Sequence, residues 1–112
     1  MYQEREFHLP KSNIKIAAKV YGEPQHFPII ALHGWLDNAA TFDKLAPLLN
    51  QVCLIACDLP GHGFSSHSPP GLMFSFLDMV RFLKELTQIL NVKEYALLGH
   101  SLGASIASIY AG

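Results

Sequence analysis

Near the end of the chain, Gly99-His100-Ser101-Leu102-Gly103 sets one hydroxyl between two glycines. That spacing suits a nucleophile on a sharp turn from strand into helix. Small flanking residues let the two elements approach, and the hydroxyl projects clear of the sheet. The helix start then offers free N–H groups and positive potential. The chemistry would be acyl transfer through a covalent serine ester. The same five residues also describe a Gly-Ser turn with Ser101 as the N-cap of an ordinary helix. Context favours the nucleophile, because Tyr95–Leu98 reads as a short apolar strand and Leu102–Tyr110 as a helix.

Acyl transfer also needs two preorganised N–H donors for the tetrahedral oxyanion, each worth about 3 kcal/mol. One would be the backbone N–H of Leu102, the residue after the nucleophile. The other would come from Leu32-His33-Gly34-Trp35-Leu36-Asp37, with Trp35 N–H the first choice and Gly34 the second. The plainer reading is that Gly34 ends a strand and Trp35 packs in a core. A third segment, Asp58-Leu59-Pro60-Gly61-His62-Gly63-Phe64-Ser65, reads as scaffolding for the site. It lacks the third glycine that a phosphate-binding loop requires, since Ser66 stands there.

The six histidines offer little else. His100 adjoins Ser101, but side chains diverge at such a turn. His33, in the loop beside the expected pocket, is a minor candidate for a base, because a histidine there more often bonds the loop backbone. His62 and His67 without a third ligand are weak evidence for a metal, so no metal site is assigned. His8 and His26 read as surface residues, and Asp37 and Asp58 as loop organisers. Phe64, Phe74 and Trp35 suit an apolar acyl pocket as well as they suit a core.

These residues need a sheet to position them. Asn13–Tyr21 alternates, with Ile14, Ile16, Ala18 and Val20 on one face and Lys15, Ala17, Lys19 and Tyr21 on a wet one. Glu4–Leu9 is its hairpin partner, turning at Pro10–Asn13. Pro28–Leu32, Val52–Cys57 and Tyr95–Leu98 are continuous apolar runs that suit parallel strands covered on both faces. Helices are expected at Phe76–Leu90, with a Ser75/Asp78 capping box, and at Phe42–Leu49, weakened by Pro47. In the first of these, Asp78, Arg81, Glu85 and Gln88 form a polar stripe opposite Leu77, Val80, Leu83 and Leu86. A third helix starts at Ser101 or Leu102. The fold class is therefore α/β: an antiparallel hairpin followed by parallel β-α-β-α-β-α. Ligands of such sheets bind beyond the carboxyl ends of the strands, where the three segments fall.

The bulk composition agrees. Half of the 112 residues are apolar, 15% are charged and the net charge is −1, which suits a cored domain and gives no footprint for nucleic acid or an anionic membrane. Cys53 and Cys57 in one strand would have Cα atoms roughly 13 Å apart, beyond the limit of about 7 Å for a disulfide. They read as buried thiols of a reducing compartment. Without a signal peptide or an apolar run of membrane-spanning length, the expected location is cytoplasmic.

Together, His33-Gly34-Trp35, Asp58–Ser65 and Gly99–Gly103 resemble, in order and spacing, the N-terminal half of the α/β-hydrolase superfamily. The segment His33-Gly34-Trp35-Leu36-Asp37-Asn38-Ala39 with Phe42 and Leu45 is similar to the serine hydrolase-like proteins. The resemblance covers nearly the whole chain and implies that residues 1–112 are a single partial domain, ending after the helix behind the nucleophile begins. It implies an eight-stranded sheet in the complete fold, a Ser-acid-His triad and no cofactor. Ser101 would be the nucleophile, Trp35 and Leu102 the oxyanion donors, and His33, Gly34, Asp58, Gly99, His100 and Gly103 their support. An aspartate nucleophile, as in dehalogenases and epoxide hydrolases of this fold, is disfavoured because Ser101 holds that position.

One departure matters. In the superfamily the acid and His follow the serine, yet none of the eleven residues after Ser101 is acidic or His. The expected function is a serine hydrolase of a small ester, thioester or amide, with acid and His beyond residue 112. Its partner would be a small-molecule acyl substrate; the sequence leaves the oligomeric state open. The alternative is a non-catalytic binding module or inactive truncated product. A nicotinamide-dependent enzyme is poorly supported, because no G-x-G-x-x-G is present.

Overall fold

The computed structural model describes residues 2–35, 37–67 and 74–111; Leu36 of the His33–Asp37 segment lies outside them. The hairpin forms from β1 (Tyr2–Leu9) and β2 (Ile14–Tyr21), antiparallel and in register from Tyr2↔Tyr21 to Leu9↔Ile14. Its turn closes through Asn13, which adopts the left-handed conformation at φ 55° and donates its N–H to the Leu9 carbonyl. Asparagine tolerates that conformation better than most residues. Next come β3 (Phe27–Leu32), β4 (Val52–Cys57) and β5 (Ala96–Gly99), all mutually parallel. The sheet order is β1-β2-β4-β3-β5, with β2 antiparallel to β4.

The apolar runs became the inner strands because both of their faces are covered. Five of the six residues of β4 are buried. One face packs against α1 (Phe76–Leu90) and α2 (Leu102–Ala111) through Ile30, Leu32, Ile55, Cys57, Phe82, Leu83, Leu86 and Ile106. The other carries a smaller cluster of Tyr21, Ala31, Leu54 and Ala56 under Ala39, Phe42 and Ala46. The helix α1 begins with the expected capping box: Ser75 Oγ accepts from Asp78 N–H, and the Asp78 carboxylate accepts from Ser75 N–H. It ends at Asn91 in the left-handed conformation. The two helices are tied where Thr87 Oγ1 donates to the Lys84 carbonyl and accepts from the Tyr110 hydroxyl at 3.0 Å.

Three expectations are corrected. Phe42–Leu49 is not one helix but two short 3₁₀ turns, Ala39–Phe42 and Ala46–Leu48. Asn38 caps the first, Pro47 removes a donor from the second, and Asp43 between them is pulled onto the sheet by the Tyr21 hydroxyl and Lys19 Nζ. The supposedly wet face of β2 is half covered: Ala17 and Tyr21 are buried. On α1, Leu77 is exposed and Glu85 is buried, where its carboxylate accepts from Ser12 Oγ at 2.8 Å; Met79 and Phe82 fill the core instead. Cys53 and Cys57 are free, buried thiols, and burial pushes Cys57 up to about 12.

These positions differ enough to test. Phe82→Ala should cost about 3–5 kcal/mol of stability, while Leu77→Ala should stay within about 0.5 kcal/mol. Urea denaturation of the two variants measures both.

Candidate active site

Ser101 occupies the two-residue turn, His100-Ser101, between β5 and α2 with φ 56°, a left-handed conformation in a non-glycine residue. Such backbone strain costs on the order of 1 kcal/mol and persists only where the surroundings enforce it. Here they do. The His100 N–H donates to the Leu32 carbonyl at 3.0 Å, carrying the β3–β5 ladder into the turn. The Gly103 N–H donates to the His100 carbonyl at 3.0 Å. A Cβ on Gly99 would lie 2.5 Å from Ala104 Cα, and one on Gly103 would lie 2.1 Å from the Leu32 carbonyl oxygen. The two glycines that flank the hydroxyl are thus required by different neighbours: Gly99 by the start of α2 behind it, Gly103 by the end of β3 beside it.

The loop after β3 lies against this turn. A Cβ placed on Gly34 would stand 3.3 Å from Ser101 Cβ and 3.4 Å from His100 Nδ1. The sequence-predicted donor loop and the predicted nucleophile therefore meet. Leu102 opens α2, so its N–H belongs to the first-turn donors that have no carbonyl one turn earlier. His100 is exposed, as is Trp35 at 53%.

His33 is fully buried and both ring nitrogens are engaged. Nδ1 donates to the Gly34 carbonyl at 2.7 Å, and Nε2 accepts from the Leu59 N–H at 2.9 Å. Its one lone pair is consumed, so His33 is a neutral strut between two loops and not a base. Burial holds its pKa below the ordinary 6.5, outweighing the opposite effect of the Gly34 carbonyl. Asp58 is also buried: Oδ1 accepts from Ala39 N–H at 2.8 Å and Oδ2 from Phe64 N–H at 3.0 Å. Asp37 bonds locally, to Asn38 N–H and the Thr41 hydroxyl; the latter leads in lowering its pKa. Both aspartates organise loops.

The sequence reading missed three parts. Ser65 Oγ donates to the Asp58 carbonyl at 2.6 Å and accepts from Ala17 N–H, stitching the third segment to β2. Leu59 contributes its amide, which no side-chain pattern reveals. The His62 ring packs 5.0 Å from the His33 ring and 5.6 Å from Trp35. Of the aromatic residues considered for an acyl pocket, Phe64 is 81% exposed, while Phe74 packs against the core. His67 bonds the Gly63 carbonyl at 3.0 Å, and among the described residues no group of three His, Cys, Asp or Glu side chains is placed to hold a metal ion.

The sequence model of the alpha/beta hydrolase fold matches residues 28–112. The chain belongs to the α/β-hydrolase family. Among curated relatives, a probable serine hydrolase of Drosophila melanogaster is 46% identical over 98 residues, covering 86% of this chain and 30% of that protein. A serine hydrolase-like protein of Danio rerio is 37% identical over 106 residues, 94% of this chain and 32% of its own length. A hypothetical protein of Pseudomonas aeruginosa PAO1 superposes with a TM-score of 0.90 at 38% identity, over 99% of this chain and 38% of the solved one. The chain therefore spans about a third of these α/β-hydrolase-family relatives. The five strands here form an N-terminal portion of the fold.

Two outcomes follow from this geometry. Gly103→Ala should destabilise the chain by about 3 kcal/mol or more, since backbone and not a flexible side chain must yield; a thermal melt reads it. His33 stays neutral in the folded state at pH values where an unfolded histidine is already protonated. Its contribution to stability is complete above about 6.5 and is lost as the pH falls from there towards its depressed folded value. NMR should show an Nδ1–H tautomer below pH 6.5, with urea midpoints falling across the same range.

Proposed function

We propose that Ser101 is the nucleophile of a serine hydrolase acting on a small ester, thioester or amide. The observation that carries this reading is the enforced left-handed turn at Ser101 with the His33–Trp35 loop packed against it. The hydroxyl oxygen attacks the acyl carbon, and the carbonyl oxygen takes up negative charge as the tetrahedral intermediate forms. The N–H groups of Leu102 and Trp35 receive that charge, with Gly34 as the second choice to Trp35, and the positive end of α2 favours it further. Collapse expels the alcohol, thiol or amine and leaves an acyl-enzyme, which water hydrolyses. A His C-terminal to residue 112 in the whole protein takes the serine proton and returns it to the leaving group, while an acid, also C-terminal to residue 112, orients the ring and stabilises the imidazolium. The names of the two curated relatives, a probable serine hydrolase and a serine hydrolase-like protein, support the same reading.

For the 112-residue chain alone, a second reading as a non-catalytic binding module is favoured by one observation: the buried His33 has no lone pair left to act as a base.

In the whole protein, a fluorophosphonate probe should label Ser101, and Ser101→Ala should abolish labelling and lower turnover of a short-chain ester by roughly 10⁶. The 112-residue chain by itself should hydrolyse the ester little above the uncatalysed rate. Equal turnover with and without Ser101 would remove the hydrolase reading.

A further inference from the structure

We propose that His62 is a positioning residue: its ring braces the Trp35 indole and so fixes the Trp35 backbone amide relative to Ser101. This rests on the reading of Trp35 as an oxyanion donor. Trp35 stands at the exposed tip of the loop after β3, whereas its neighbours are anchored. His33 is held by the Leu59 amide, and the Asp37 N–H donates to the Gly34 carbonyl at 3.2 Å. Trp35 itself packs edge-on against the His62 ring, with centroids 5.6 Å apart and planes at 78°, an arrangement that aromatic quadrupoles favour.

The brace is buried where the braced residue is exposed. His62 is buried at 7% exposure, its Nδ1 lies 3.1 Å from the Pro60 carbonyl, and its ring packs against the His33 ring. Asp58 carries the same restraint to the far end of the loop by accepting the Ala39 N–H. The segment after β4 thus grips the donor loop at three points: the His33 ring, the Trp35 indole and the Ala39 amide. Only the middle one acts on the residue whose N–H would meet the oxyanion. A donor displaced by about 1 Å can lose up to 10²-fold in rate, so the brace should be read in kcat and not in substrate affinity.

The test uses three variants in the whole protein, with a short-chain p-nitrophenyl ester. His62→Ala should lower kcat about 10–100-fold with KM and melting temperature little changed. His62→Phe, which keeps a ring and loses the Pro60 bond, should restore kcat; His62→Asn, which keeps a polar group and loses the ring, should not. An unchanged kcat in His62→Ala, a change confined to KM, or no rescue by Phe overturns the proposal. Ser101→Ala in the same assay separates the two readings. Turnover retained there removes the hydrolase reading; turnover lost there with His62→Ala unaffected removes only the brace. Trp35 is the single tryptophan of this chain, so its fluorescence anisotropy in the 112-residue chain gives a readout independent of catalysis. It should fall in His62→Ala and recover in His62→Phe, and an unchanged anisotropy overturns the brace.

Discussion

Parallel pairing of β3 with both of its neighbours is the constraint from which the site follows. Leu32 is in register with Cys57 on one side and with Gly99 on the other. Three strands therefore release the chain at one edge of the sheet, side by side. The loops after β3 and β4 and the turn at Ser101 need no further device to find one another. Because parallel strands cannot be joined by tight hairpins, the intervening segments must cross the sheet faces. Those crossings supply the core that keeps the strands in register.

Register alone would leave three irregular loops at the edge of the sheet, and buried polar groups order them. His33 and Asp58 are buried and would be costly if unpaired. Each instead meets backbone amides of a loop other than its own. Their hydrogen bonds are specific in direction, so the loops have one arrangement and not a family of them. Apolar contacts could have supplied comparable adhesion without that directionality.

Much of this could be read from the residues in order. The succession of strands along the chain, the capping box of α1 and the turn at Ser101 follow from local rules, because a continuous apolar run, a Ser-x-x-Asp pattern and a small-x-Ser-x-small pattern each have few structural solutions. Features that depend on distant partners could not. The span 42–49 has helical composition, but Asp43 is drawn to Tyr21 and Lys19 across the fold, and the helix gives way to two short turns. Glu85 is buried on α1, where the hairpin turn brings Ser12 to its carboxylate, and Leu77 is exposed. In the site, glycines and the serine announced themselves, whereas the amide of Leu59 and the ring of His62 matter only through what they touch.

The pairing of β5 with β3 also has a kinetic side. Ile29 meets Ala96, and the Leu32 carbonyl meets the amide of His100, so the strained turn at Ser101 depends on contacts between residues far apart in the chain. Bringing such ends together carries a loop-closure entropy that local hairpins and helices do not face. The hairpin β1–β2 and the helix α1 can gain their bonds early, from neighbours in sequence. The turn has nothing to hold it in shape until the long crossings are complete. The shape of the turn at Ser101 therefore depends on the assembly of the whole sheet.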